Sequence, residues 1–346
     1  MRQVEVTWFF YCQFDLTDTN VTVELQNPRG SPRVETLAIL LSAPEQLSLS
    51  RLTLTPPGVQ DVVVDIDWSG ISTGTERLLW SGRMPSFPGM GYPLVPGYES
   101  VGRVVQAGAE AGRQLGEAVF VPGARCFGDI RGLFGGAAAR LVVAGARVTP
   151  VDPALGADAV LLALAATAHH AIMLPHAAIP ELIIGHGVLG RLLARIVIAA
   201  GHPAPMVWES NSARRDGAQG YVVCDPAEDA RRDYRAICDV SGDSALLDTL
   251  ISRLAPGGVV TLAGFYSAPL SFTFPAAFMR EARIAIAAEW KQPDLDAVNA
   301  LISSGRLSLA GLITHHAAAD DAPQAYRQAF EDPACLKMVL DWRNKQ

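Results

Sequence analysis

The chain has 346 residues, is 49% hydrophobic and carries a formal net charge of −7. That length allows two domains with sizeable cores. A mildly acidic balance without a basic stripe argues against nucleic acid as a partner. Five cysteines, Cys12, Cys126, Cys224, Cys238 and Cys335, stand singly with no C-x-x-C pair. This suits a reducing, cytoplasmic compartment and argues against a disulfide framework or a cysteine zinc cluster.

Residues 1–33 differ from the rest and read as an extension. Trp8-Phe9-Phe10-Tyr11 is aromatic, and Asn27-Pro28-Arg29-Gly30-Ser31-Pro32 reads as a linker. No basic region precedes an apolar run there, so no signal peptide is expected. From Glu35 short strand-like runs alternate with Pro/Gly turns: Leu37–Leu41, Leu47–Leu54, Val62–Trp68, Ser100–Ala107, Ala118–Val121 and Ala139–Val143. Such a density of short strands predicts a barrel-like β module. The longest apolar run, Ala157 to Leu174, holds Asp158, His169 and His170. It predicts a buried core helix and no transmembrane segment.

After Pro153 the pattern becomes βαβ. Glu181-Leu182-Ile183-Ile184 reads as a buried strand, and Gly185-His186-Gly187-Val188-Leu189-Gly190 follows at once. Arg191 to Ala200 reads as a helix, and Pro205-Met206-Val207-Trp208 as a second strand ending in Glu209. The G-x-G-x-x-G spacing has a mechanical reading. Gly185 allows the tight turn, Gly187 lets a pyrophosphate approach the backbone, and Gly190 lets the helix pack against the strand. The N–H groups of the helix start, Leu189 among them, would face the phosphates. Glu209 lies nineteen residues past Gly190, where an acid holds both hydroxyls of an adenosine ribose. These features predict a nicotinamide dinucleotide site, and the acid favours NAD over NADP. His186 falls at a position of that turn open to any residue and reads as a bystander.

Further strands are expected at Ala236–Val240, Val259–Gly264 and Ile284–Ala288, with a helix at Ser244–Leu254. The result is a parallel-sheet pattern. The tail, Asp294 to Trp342, predicts two helices and short strands that return to the first module.

Several segments occur in the order found in one large family. Asp67-Trp68-Ser69-Gly70-Ile71-Ser72-Thr73-Gly74-Thr75-Glu76 resembles the stretch that carries the first zinc ligand of the medium-chain dehydrogenase/reductases. Pro93-Leu94-Val95-Pro96-Gly97-Tyr98-Glu99-Ser100-Val101-Gly102 resembles their P-x-x-x-G-H-E-x-x-G signature. Gly135-Gly136-Ala137-Ala138, Thr167-Ala168-His169-His170-Ala171, the glycine turn and Gly311-Leu312-Ile313-Thr314-His315 follow in sequence. The resemblance spans about Leu37 to Trp342. It implies an α/β fold: a GroES-like β-barrel catalytic domain (residues 34–163), a doubly wound Rossmann sheet binding NAD (164–288), and a return to the catalytic domain (289–346).

The departures matter as much. Ser72 and Tyr98 stand where that family places a zinc cysteine and histidine, and the third ligand position, near Ala163, lacks a donor side chain. A lone Glu99 does not hold zinc, so a zinc-free member with no bound metal is expected. Pro88-Gly89-Met90-Gly91-Tyr92-Pro93 and Trp208-Glu209-Ser210-Asn211 resemble the branch of 3-hydroxyethyl bacteriochlorophyllide a dehydrogenases. That resemblance implies NAD-dependent oxidation of a bacteriochlorin hydroxyethyl group to acetyl. A homodimer is compatible with it. Ser72, Tyr98 and Glu99 are then the candidate catalytic groups, with Thr73 and Thr75 as hydroxyl alternatives. Tyr98 would relay a proton if its neighbours lower its pKa; the plainer reading is that it fills the vacated volume and hydrogen-bonds Ser72. Arg214 is a candidate cation beside the adenosine ribose. His169 and His170 are read first as core histidines, and as a base or an axial magnesium ligand second. His315 and His316 read as loop residues. Two other functions stay open: a zinc-free quinone or enone reductase, and a non-catalytic dinucleotide-binding protein. The apolar loop Met84–Tyr92 is expected to wall the entrance.

Overall fold

A computed structural model describes residues 34–175 and 177–345. The extension 1–33, with Cys12, lies outside the described residues. The described residues form three sheets. One runs in the order Gln46–Thr53, Glu35–Ala43, Leu94–Pro96, Arg131–Leu133. A second runs His315–Ala318, Met338–Asp341, Asp61–Ile71, Ser100–Ala107, Ala118–Val121, Thr149–Pro150, with Arg140–Ala144 also paired to Asp61–Ile71. Asp61–Ile71 is the spine of this barrel-like module. Its Val62-Val63-Val64 run is fully β-branched, and all three side chains are buried.

The third sheet has six strands, all parallel: Val222–Cys224, Met206–Trp208, Leu182–Ile184, Tyr234–Asp239, Leu254–Leu262, Arg283–Ile286. Leu182-Ile183-Ile184 is apolar at every position because helices cover both faces of a central parallel strand. The order reverses beside Leu182–Ile184, and such a switch point opens a ligand crevice at the carboxyl ends of the strands.

The long apolar run is a buried helix as expected, but not a uniform one. Pro153–Leu161 is a succession of tight turns with non-helical geometry at Gly156, where φ is 52°; the α-helix proper is Leu162–Met173. Pro153–Met173 is the one stretch among the described residues long and apolar enough to cross a membrane, and most of it is inside the fold. It lies in the core that also takes Leu192, Leu193, Ile196 and Val197 from the helix Val188–Ala199. Leu94–Pro96, Arg131–Leu133 and Val222–Cys224 are strands that periodicity misses, because three residues are too few to show alternation.

The tail does return to the barrel. Met338–Asp341 pairs antiparallel with Trp68–Ile71, and His315–Ala318 pairs with Met338–Asp341. His315 and His316 are thus strand residues, contrary to the loop expected for them. Lys337 enters the barrel just ahead of that strand. Its side chain is 1% exposed, and its Nζ lies 2.6 Å from Glu99 Oε2 and 3.2 Å from the Ile71 carbonyl. Glu99 is wholly buried, and its other oxygen has no partner among the described residues. A Cβ on Gly70 would come within 2.2 Å of the Glu99 carboxylate, so glycine there makes room for the pair.

Removing one member of a buried pair strands the other charge. Lys337→Met is therefore expected to destabilise the protein by about 3–5 kcal/mol, read as a lower denaturation midpoint. Adding Glu99→Leu should recover most of that loss. A single variant as stable as the parent would show that the pair imposes no such constraint.

Candidate active site

The glycine turn has the geometry its spacing predicts. Gly185 has φ +100°, which admits glycine most readily, and it adjoins Ser241 in the loop after Tyr234–Asp239. A Cβ on Gly187 would meet nothing within 4 Å, so its face is open to a ligand. A Cβ on Gly190 would lie 1.9 Å from the Gly185 carbonyl oxygen; here helix and strand touch backbone to backbone. Gly187 caps the helix Val188–Ala199 without a side-chain hydrogen bond. The N–H groups of Val188, Leu189 and Gly190 belong to the first turn, which lacks intrahelical acceptors. An open cradle at a helix N-terminus fits a pyrophosphate.

Glu209 follows the neighbouring strand and is half-buried. Its Oε2 accepts from the His186 N–H at 3.0 Å and its Oε1 from the Asn211 N–H at 2.8 Å. A carboxylate has about four acceptor positions, so two further hydrogen bonds can be taken by ribose hydroxyls. Arg214 does not stand free beside it: its Nε donates to the Pro333 carbonyl at 2.7 Å. Arg215 donates to the Glu209 carbonyl and pairs with Asp225. Both cations near the ribose position are engaged elsewhere.

His186 is no bystander. It is fully buried, with Nδ1 2.6 Å from the Arg214 carbonyl oxygen and Nε2 2.8 Å from the Tyr221 hydroxyl. The carbonyl only accepts, so Nδ1 carries the proton and Nε2 accepts from Tyr221. Burial pushes its pKa down to about 4, against the Arg214 hydrogen bond, which raises it. Arg191 braces the same turn, donating to the carbonyls of His186, Arg214 and Asp216.

Across the crevice, Ser72 Oγ and Tyr98 Oη are 2.7 Å apart. Thr75 also hydrogen-bonds Tyr98. The expectation that neighbours lower the Tyr98 pKa does not hold: burial raises it and the Glu99 charge raises it further. Tyr98 is therefore a neutral hydroxyl at working pH. Glu99, next in sequence, does not reach the crevice; it lies behind Tyr98 in its pair with Lys337. Phe134 packs edge-on against the Tyr98 ring.

Glu76 closes the Asp67–Glu76 stretch, and nothing in the sequence marks a role for it. Its Oε1 accepts from the Ser72 N–H at 3.0 Å and its Oε2 from the Tyr326 hydroxyl at 2.6 Å. Burial raises its pKa to about 7, opposed by those hydrogen bonds. Lys337 was likewise missed, although a lone lysine within Cys335-Leu336-Lys337-Met338-Val339-Leu340 is a legible oddity. Asp239 ends its strand under Ser241 and Tyr266, which both donate to it, and burial raises its pKa.

The donor set does not fit zinc. Ser72 and Tyr98 bond each other, Glu99 is spent on Lys337, and Ala163 offers no side-chain donor. Among the described residues no three His, Cys, Asp or Glu side chains converge as a metal site. His169 and His170 are satisfied by one carboxylate: their Nδ1 atoms lie 2.8 and 2.9 Å from the two oxygens of Asp294. The loop Met84–Tyr92 packs its Met84, Phe87, Met90 and Tyr92 with Leu133 and with Phe265 from the parallel-sheet domain.

Residues 58–153 match the family model described as an alcohol dehydrogenase GroES-like domain. Over 312 residues the chain is 59% identical to a 2-desacetyl-2-hydroxyethyl bacteriochlorophyllide A dehydrogenase of Rhodobacter capsulatus, covering 90% of this chain and 99% of that protein. It is 56% identical over 315 residues to the protein of the same name from Cereibacter sphaeroides, with the same coverage. Among solved structures, a dehydrogenase from E. coli CFT073 complexed with NADH superposes with a TM-score of 0.75 at 19% identity, over 89% of this chain and 99% of that one. That likeness establishes the fold.

His186 and Glu76 give opposite pH dependences. The His186 pKa is depressed, so its stabilising effect is complete above 6.5 and is lost as pH falls toward about 4. The Glu76 pKa is raised, so its effect is complete below 4.5 and is lost as pH rises through about 7. Between 4.5 and 6.5 the two slopes oppose each other. Relative to the parent, Glu76→Gln should lose stability more steeply on acidification through that window, and His186→Asn less steeply. Denaturation midpoints measured across that range check both signs; parallel curves for all three proteins would refute the assignment.

Proposed function

The chain belongs to the 2-desacetyl-2-hydroxyethyl bacteriochlorophyllide A dehydrogenases within the medium-chain superfamily, and from that membership we infer its reaction. It oxidises the C3 1-hydroxyethyl group of a bacteriochlorophyllide to acetyl, passing hydride to a nicotinamide dinucleotide. The observation that carries this reading is identity of more than half along nearly the whole length of two relatives so named.

We propose NAD as the acceptor. Glu209 has acceptor positions left for both ribose hydroxyls and would repel a 2′-phosphate. Arg214 and Arg215, the cations that could have welcomed that phosphate, are bonded to Pro333 and Asp225. Gly185, Gly187, Leu189 and Gly190 would hold the pyrophosphate, and a bound nicotinamide supplies the hydride acceptor. Ser72 and Tyr98 are the groups proposed to hold the substrate hydroxyl. As neutral donor–acceptors 2.7 Å apart they can orient the oxygen and pass on its proton. Glu99 serves by holding Lys337 behind them rather than by touching substrate. Zinc would normally stabilise the alkoxide; here the ketone forms in conjugation with the macrocycle, so less electrostatic help is required.

We propose self-association through one edge of the parallel sheet. Arg283–Ile286 pairs with Leu254–Leu262 on one side and is the sheet's edge among the described residues, with Ile284 and Ile286 exposed, and Phe274, Phe278 and Met279 stand exposed near it in sequence. An apolar edge of this kind invites pairing with a second copy. Sedimentation should give a dimer, and Ile284→Lys with Ile286→Glu a monomer.

The activity test is incubation with hydroxyethyl bacteriochlorophyllide and either dinucleotide, following the red-shifted acetyl product. NAD should exceed NADP in kcat/KM by more than about tenfold, and Glu209→Ser should erase the preference. Tyr98→Phe should lower kcat by about 10²-fold with KM nearly unchanged. Preference for NADP would overturn the cofactor assignment, and full activity of Tyr98→Phe the catalytic one.

A further inference from the structure

We propose that Arg131 recognises the free carboxylate of the substrate and so selects the unesterified pigment over its ester. This rests on the reading that the site takes a bacteriochlorophyllide, a pigment whose ring propionate is a free acid. Four observations carry it.

First, the guanidinium is exposed and uncommitted. Arg140, Arg215, Arg231, Arg235 and Arg343 each pair with a carboxylate. Arg131 has none within ion-pair distance among the described residues; its one hydrogen bond is a 3.5 Å contact from Nη1 to the Tyr92 carbonyl. Second, it is held in place. The guanidinium lies against Gly91, where a Cβ would approach its central carbon to 3.2 Å. The absent side chain lets the fork rest on the loop backbone with an edge free.

Third, it belongs to the right surface. Arg131 and Leu133 are two apart on one strand and share a face. Leu133 is part of the apolar cluster in which Phe87, Met90 and Tyr92 of the loop meet Phe265 of the nucleotide domain. A planar apolar ligand entering between the two domains would lie along this cluster, with Arg131 at its rim. Fourth, the spacing suits the ligand. Arg131 pairs with Leu94, four residues before Tyr98; the strand ends at Pro96 and the chain turns at Gly97, so the run from Leu94 to Tyr98 spans less than about 13 Å. The hydroxyethyl group and the propionate sit on neighbouring pyrrole rings of one rigid plane. A hydroxyl held at Tyr98 therefore directs the carboxylate outward, toward a planar two-pronged donor that matches carboxylate geometry.

The test compares hydroxyethyl bacteriochlorophyllide with its methyl ester at the propionate, for the parent and Arg131→Met. The parent should favour the acid by about tenfold or more in kcat/KM. Arg131→Met should lose that preference through a raised KM for the acid, with kcat and the ester's kinetics unchanged. Arg131→Lys should retain part of it. Melting temperature and dinucleotide affinity of the variant should match the parent, since the side chain is at the surface. Equal use of acid and ester by the parent, or an equal loss on both substrates in Arg131→Met, would overturn the assignment while leaving the function standing. Oxidation of neither pigment by the parent would overturn the function and this assignment with it.

Discussion

The contact between Lys337 and Glu99 is the constraint on which the site depends. It joins the last strand of the chain to the segment that carries Tyr98, inside the barrel and out of reach of water. Its consequences spread to neighbours. Gly70 lacks a side chain to admit the carboxylate, and the Ile71 carbonyl takes a second hydrogen bond from Lys337. Ser72 begins where that strand ends, and its N–H is fixed by Glu76. A second buried carboxyl, Glu76, bonds neither member of the pair but lies near enough to feel both charges. Burial is the main reason the Glu76 pKa stands so far above that of Glu in water; the Glu99 charge adds to it, against the hydrogen bonds from Tyr326 and Ser72.

The nucleotide half is organised differently, around hydrogen bonds to backbone carbonyls. His186 and Arg191 gather the carbonyls of residues 214 and 216 and hold the 209–217 segment against the glycine turn. That segment carries Glu209, so the acid's position is set from both ends: by the strand before it and by the histidine beneath it. Burial disfavours a charged imidazole there, and the nearby Arg191 charge disfavours it further. The neutral Nδ1–H tautomer satisfies Tyr221 and Arg214 together without burying a charge.

Much of this was legible in the sequence, and the reasons differ by element. The glycine turn could be read in full, because each glycine answers a local backbone demand that spacing alone encodes. The parallel strands Leu182–Ile184 and Met206–Trp208 showed through as apolar runs with marked ends. The substitutions Ser72 and Tyr98 stood out against the medium-chain pattern, and their hydrogen bond was the plainer of the two readings made. The environment of those residues could not be read. Tyr98's acidity depends on Glu99, Glu76 and enclosure by residues far apart in sequence. Tyr326 reaches Glu76 across 250 positions. The role of Glu99 was misjudged because its partner lies 238 residues on. Local spacing carries no information about such pairs.

Asp294 has a consequence for the architecture as a whole. It receives His169 and His170 from the helix that leads into the parallel-sheet domain, and it stands in the first turn of the helix that leads out. The two crossings between domains are thereby stitched side by side, and the chain between them becomes a closed circuit rather than a bridge. Closing a circuit has an entropic penalty that grows only with the logarithm of its length. The length of the intervening segment is therefore a small term in closing it; packing such as that of Phe265 on the Met84–Tyr92 loop ties it to the barrel. Insertions in surface loops of the nucleotide half then cost the closure little, provided the side chains that meet the barrel are kept.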